Sequence, residues 1–74
     1  MNLLRKRFGK RLFELRHQAN LTQEQLAQKA EISVDFLSLM ERGINSPSFE
    51  TLEKLSLALE KPVKEFFIFE NDCF

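Results

Sequence analysis

Three observations predict an all-α fold. Apolar residues recur at steps of three and four almost throughout the 74 residues, no segment alternates apolar and polar as a half-buried strand does, and only two Gly and two Pro interrupt the pattern. The first helix is expected over about 3–18, with Leu4, Phe8, Leu12 and Leu15 on one face and basic side chains around the rest. Asn20-Leu21-Thr22 breaks that pattern. Thr22 suits an N-cap, and Gln25 three residues on completes a capping box for a short second helix at about 23–30 that buries Leu26 and Ala30. Ser33 caps a third helix at about 34–42, whose Leu37 and Met40 point inward and whose end is marked by Gly43. After the loop Ile44-Asn45-Ser46-Pro47, Ser48 caps a fourth helix from Phe49 to about Leu59, with Leu52, Leu55 and Leu59 on its core face. Pro62 opens a last short helix at about 63–68.

A chain of this length makes one domain over residues 1–74, with no repeat, linker or low-complexity segment. A core of that size hides only about 60% of the surface its unfolded chain exposes, so association with a second copy would add useful burial. The net charge is zero but unevenly placed. Residues 1–18 hold six Lys and Arg against one Glu, a net +5, which leaves five against ten, a net −5, over residues 19–74. Cys73 is the only cysteine and sits next to the end of the sequence, so no disulfide framework, zinc set or Cys/His nucleophile site is expected within one chain, and a reducing compartment is the natural expectation. The opening Met1-Asn2-Leu3-Leu4 runs at once into charge, and no stretch approaches the roughly 18 apolar residues of a membrane span, which together predict a cytoplasmic protein. Enzyme chemistry is not expected. The one histidine, His17, has no base or nucleophile in register and reads as solvated, and there is no phosphate-binding glycine loop, metal-ligand spacing, cofactor motif or small-molecule site.

Two short helices joined by the three-residue turn Glu31-Ile32-Ser33, with the small Ala27 where they cross, make helix-turn-helix geometry over about 22–42. The chain resembles the phage-repressor or Cro-like (XRE) helix-turn-helix regulators, which include the controller proteins of restriction-modification systems. The matching stretches are Leu12-Phe13-Glu14-Leu15-Arg16, Leu21-Thr22-Gln23-Glu24-Gln25-Leu26-Ala27, Glu41-Arg42-Gly43 and Pro47-Ser48-Phe49-Glu50-Thr51-Leu52, spread over about residues 8–67. The resemblance implies a compact five-helix domain of the phage-repressor type. It also implies a transcriptional regulator that reads the major groove of double-stranded DNA as a homodimer, with the helix at about 34–42.

Roles for individual residues follow from that resemblance. Gln23 would touch a phosphate through its amide and through the free amides at its helix start, where the dipole favours an anion, the alternative being a plain exposed helix-start residue. Ser33, Val34, Asp35, Phe36, Ser38 and Leu39 fall at base-reading positions. Val34 and Phe36 suit thymine methyls, Asp35 a cytosine amine and Ser38 any base, and the usual Arg, Gln or Asn is missing from the first two turns. The alternative for Val34, Phe36 and Leu39 is a protein contact. Arg42, Ser46, Ser48 and Thr51 are phosphate candidates, joined by Lys10 and Arg11 unless those two are simply solvated. Arg16 and Glu41 would pair across the first and third helices as a structural ion pair. Glu31 and Glu60 stand where the family usually has Gly, so each would carry backbone strain or shift its turn.

The run Val63-Lys64-Glu65-Phe66-Phe67-Ile68-Phe69 holds more large apolar residues than one short helix can hide. Phe66 is expected in the core. Phe67, Ile68, Phe69 and Phe74, within a segment at about 62–74, would face a second copy, or else pack on the first helix. The rival to DNA binding is the same fold used only as a protein-protein interaction module.

Overall fold

The computed structural model describes residues 3–69. Helix α1 is Leu3–Gln18, α2 Gln23–Ala30, α3 Val34–Glu41 and α4 Phe49–Leu59, followed by a 3-10 helix at Val63–Phe67. No strand occurs among the described residues. The expected five elements are present, with two adjustments: α3 ends one residue early, with Arg42 as its C-cap, and the last element is wound as a 3-10 helix. Five residues are too few to repay α-helical nucleation, and the tighter winding lets Phe66 reach the core while completely excluded from solvent.

The helix starts follow local chemistry. Thr22 accepts from the Gln25 amide at 3.1 Å while the Gln25 side chain accepts from the Thr22 amide at 2.8 Å, the reciprocal pair of a capping box. Ser33 and Ser48 accept in the same way from Phe36 and Thr51. The helix ends share one device. Asn20, Glu31, Gly43 and Glu60 follow α1 to α4 with φ of 60°, 59°, 77° and 56°. The amide after each returns to the carbonyl five residues back: Leu21 to Arg16, Ile32 to Ala27, Ile44 to Leu39 and Lys61 to Ser56, the Schellman closure. Both glutamates expected to be strained are indeed left-handed.

The core joins Phe8, Leu12 and Leu15 of α1, Leu26, Ala27 and Ala30 of α2, Leu37 and Met40 of α3, Leu52, Leu55, Ala58 and Leu59 of α4, and Phe66. Helix α1 lies across α3 and the 3-10 helix, and α2 lies between α3 and α4. At Gly9 a side chain would meet the Met40 carbonyl oxygen at 2.3 Å, so the glycine lets α1 touch the end of α3 backbone to backbone. Among the described residues no helix is long and apolar enough to cross a membrane.

Candidate nucleic-acid interface

One buried ion pair sets the relative positions of α1, α2 and α3. Arg16 Nε donates to Glu41 Oε2 at 2.7 Å and Nη2 donates to Oε1 at 3.2 Å, and the two side chains are 8% and 4% exposed. The third arm of the guanidinium, Nη1, donates to the Leu21 carbonyl at 2.8 Å, just ahead of α2. Gln23, first in α2, adds Nε2 to Glu41 Oε1 at 3.0 Å. These four donors satisfy the Glu41 carboxylate and the Leu21 carbonyl, groups an isolated helix pair would leave to water, which is how a buried charge is tolerated. The Arg16–Glu41 pairing expected from sequence is therefore present.

Around this lock α3 divides into two faces. At about 100° per residue, Asp35, Ser38, Leu39 and Arg42 lie on the side opposite Leu37 and Met40. Asp35 and Arg42 are exposed, Ser38 and Leu39 half-buried. Val34 corrects the sequence expectation of an open reading face, whereas Phe36 lies half-buried at the edge of that face, where helical spacing puts it. Val34 stands three residues before Leu37 and Phe36 four before Met40, so both are drawn inward and pack against the core, leaving only their outer edges open. Ser33 is exposed while its oxygen caps α3.

The candidate phosphate residues also separate. Ser46, Ser48, Arg42 and Lys10 are exposed, and Gln23 is half-buried against Glu41. Thr51 is 8% exposed and its Oγ1 lies 3.0 Å from Ser48 Oγ, so it supports the α4 cap instead of presenting a free hydroxyl. Arg11 is turned elsewhere. Its Nε donates to the Glu65 carbonyl at 2.8 Å and its Nη2 to the Glu65 carboxylate at 3.0 Å, with Glu14 at 3.4 Å, so it braces α1 against the 3-10 helix and its expected phosphate role falls away.

At the C-terminal end, Phe67 and Phe69 take the intrachain alternative in part. Phe67 lies 5.5 Å from Phe8 and Phe69 lies edge-on to Phe67 at 6.3 Å, yet Phe67 is still 38% exposed and Ile68 50%. Phe74 and Cys73 lie outside the described residues. An open, mostly apolar groove of about 360 Å³ runs beside this end, lined by Leu4, Phe8, Pro47, Phe49, Leu52 and Phe67 among others. Three features were missed in the sequence. Arg5 donates to the Ile44 carbonyl at 3.1 Å and pins the loop after α3, Phe49 is 84% exposed, and Gly9 marks a close crossing, for which a glycine inside a helical pattern was the available signal.

Comparisons with known proteins agree with this arrangement. The restriction-modification controller protein C.AhdI from Aeromonas hydrophila superposes with a TM-score of 0.82 at 35% identity, covering 84% of this chain and 94% of that one. Control protein C.BamHI from Bacillus amyloliquefaciens is 32% identical over 69 residues, 92% of this chain and 85% of the relative. The immunity repressor protein of Bacillus phage phi105 is 43% identical over 51 residues, 69% of this chain. This chain spans only 35% of that repressor and 36% of the transcriptional regulator DdrOP3 of Deinococcus deserti, with which it shares 48% identity over 46 residues. The helix-turn-helix family HTH_3 matches residues 12–66, and the chain belongs to that family.

Proposed function

We propose that this chain is a sequence-specific DNA-binding transcriptional regulator that reads the major groove with α3 as a cytoplasmic homodimer. The observation that carries the reading is the outward face of α3. Asp35, Ser38, Leu39 and Arg42 share it, Ser33 stands exposed at its start, and the Arg16–Glu41 lock fixes its angle to α2. Relatives named as transcriptional regulators and repressors support the same reading. On this view α2 lies across the backbone with Gln23 at a phosphate, while Arg42, Ser46, Ser48 and Lys10 add contacts that position the protein without reading sequence. Asp35 is the specificity element: it accepts from a cytosine amine and repels bases that offer only acceptors. Ile68, with the open edges of Phe67 and Phe69, forms part of the surface between copies.

Selection of duplexes from a random-sequence pool tests this directly. A motif should be enriched, and affinity for it should fall steeply from low to moderate salt as phosphates regain counterions. A pool with no enrichment and no binding at low salt would overturn the reading, and salt-independent binding to a protein partner would replace it with an interaction module.

A further inference from the structure

Glu41 receives one more hydrogen bond than its ion pair needs. Arg16 already supplies two donors, at 2.7 and 3.2 Å, to a carboxylate that is 4% exposed. The third donor, Gln23 Nε2 at 3.0 Å, comes from a residue that is only half-buried at the first position of α2. A side chain in that position can satisfy its amide with water, so the fold does not require this bond for burial. What the bond does is remove freedom. A carboxylate only accepts, so it fixes which end of the amide turns inward: the nitrogen faces Glu41, and its second N–H is left over. The side chain is thereby ordered before any partner arrives, and a phosphate, which also only accepts, needs the N–H that remains.

We propose that Glu41 is a positioning residue for DNA binding: it holds the Gln23 amide by its nitrogen and presets the remaining N–H for a backbone phosphate. The proposal rests on the DNA-binding reading above. It makes one buried carboxylate serve two ends, closing the ion pair with Arg16 and aiming a contact at the DNA. In Glu41→Gln, keeping the new amide oxygen on Arg16 Nε, the shorter of the two ion-pair contacts, turns the amide nitrogen toward Gln23. Gln23 then has to offer its carbonyl inward, which reverses the amide and spoils the preset geometry.

The test is a cycle of the full chain, Q23A, E41Q and the double variant, with affinity measured on the selected duplex at a temperature where circular dichroism shows all four folded. Q23A and E41Q should each weaken binding about tenfold on every sequence, the effect of one lost hydrogen bond to a charged group. In the Q23A background, E41Q should cost less than about twofold, because its route to the DNA is already gone. The same loss in both backgrounds means that Glu41 acts only through the fold, and overturns the proposal. Should E41Q fail to fold, the unaltered protein still decides by nuclear magnetic resonance of the Gln23 side-chain amide, assigned by its disappearance in Q23A. One of its two protons should be shifted and slowly exchanging in the free protein, and the other should move when DNA is added. Two protons that both exchange freely and sit at the shifts of a solvated Gln side chain overturn the proposal. A protein that orders this amide but binds no duplex refutes the DNA reading itself, and the proposal with it.

Discussion

At the scale of single residues, sequence and structure agree where chemistry is local and part where it depends on rotation. The Arg16–Glu41 pair was legible because the two positions come with the family resemblance, and both side chains are almost wholly excluded from water. Replacing Arg16 by Ala leaves the Glu41 carboxylate buried with Gln23 as its one remaining hydrogen-bond donor among the described residues. Urea denaturation should then show a loss of about 3–5 kcal/mol, the cost of breaking a buried pair from one side, whereas Arg42→Ala, on an exposed residue, should change stability by no more than about 0.5 kcal/mol and lower DNA affinity instead. Gly9 was not legible as a contact, because a lone glycine in a helical pattern has several causes. Its close crossing reverses an ordinary sign. Gly to Ala within a helix normally stabilises by about 1 kcal/mol. Here the added methyl would lie 2.3 Å from the Met40 carbonyl oxygen and 2.8 Å from that of Glu41. Gly9→Ala should therefore lower stability, by about 1–3 kcal/mol as the helices are forced apart, and thermal melting of the variant reads the sign directly.

At the scale of elements, helix starts were readable because a hydroxyl three residues ahead of a free amide is a short-range arrangement, and Thr22, Ser33 and Ser48 all cap as their positions suggest. Helix ends were readable too, but in the opposite sense: the turn geometry is retained even where the residue opposes it. After α2 and α4 the chain places Glu31 and Glu60 in the left-handed region, at φ of 59° and 56°, since the returning amides of Ile32 and Lys61 need that turn to reach Ala27 and Ser56. Tertiary packing overrides the local preference here. Glu60→Gly should raise stability, by up to about 1 kcal/mol from relief of the left-handed strain less the extra freedom of the unfolded chain. Equilibrium unfolding checks it, and a decrease would mean that the Glu60 side chain makes a compensating contact. The partition of α1 was beyond sequence reading. Helical spacing gives which residues share a face but not how that face is rotated against the 3-10 helix, and it is this rotation that sends Arg11 to Glu65 and leaves Lys10 exposed. The inward pull on Val34 and Phe36 has the same origin: an eight-residue helix must bury a wide stripe to be held at all, so the flanks of its core face are recruited.

At the scale of the whole molecule, one copy measures 33 × 21 × 21 Å, and the helix proposed to read DNA, α3, has eight residues and is about 12 Å long at 1.5 Å per residue. Such a helix meets one stretch of major groove. On the proposed function, Asp35 and two hydroxyls in place of bidentate Arg or Gln contacts obtain little discrimination from one groove, and a second copy at a half-site about 34 Å away would double the number of base pairs inspected. The surface proposed for that pairing is apolar and unevenly covered: Phe66 is fully buried and Phe67 packs on Phe8, but Ile68 stays half-exposed. Sedimentation equilibrium should show an 8.7 kDa species giving way to one twice that mass as concentration rises. Ile68→Asp should remain at the smaller mass, because a carboxylate carried into an apolar interface would lose its water without gaining a partner, while an exposed position in the single copy tolerates it. Its helical circular dichroism should be unchanged. The variant should still bind a duplex carrying one half-site and lose the extra affinity conferred by a second one. If it sediments and binds like the unaltered chain, the copies meet through a surface that does not include Ile68, and the exposed side chains of Phe49 and Leu57 on α4 become the next positions to alter.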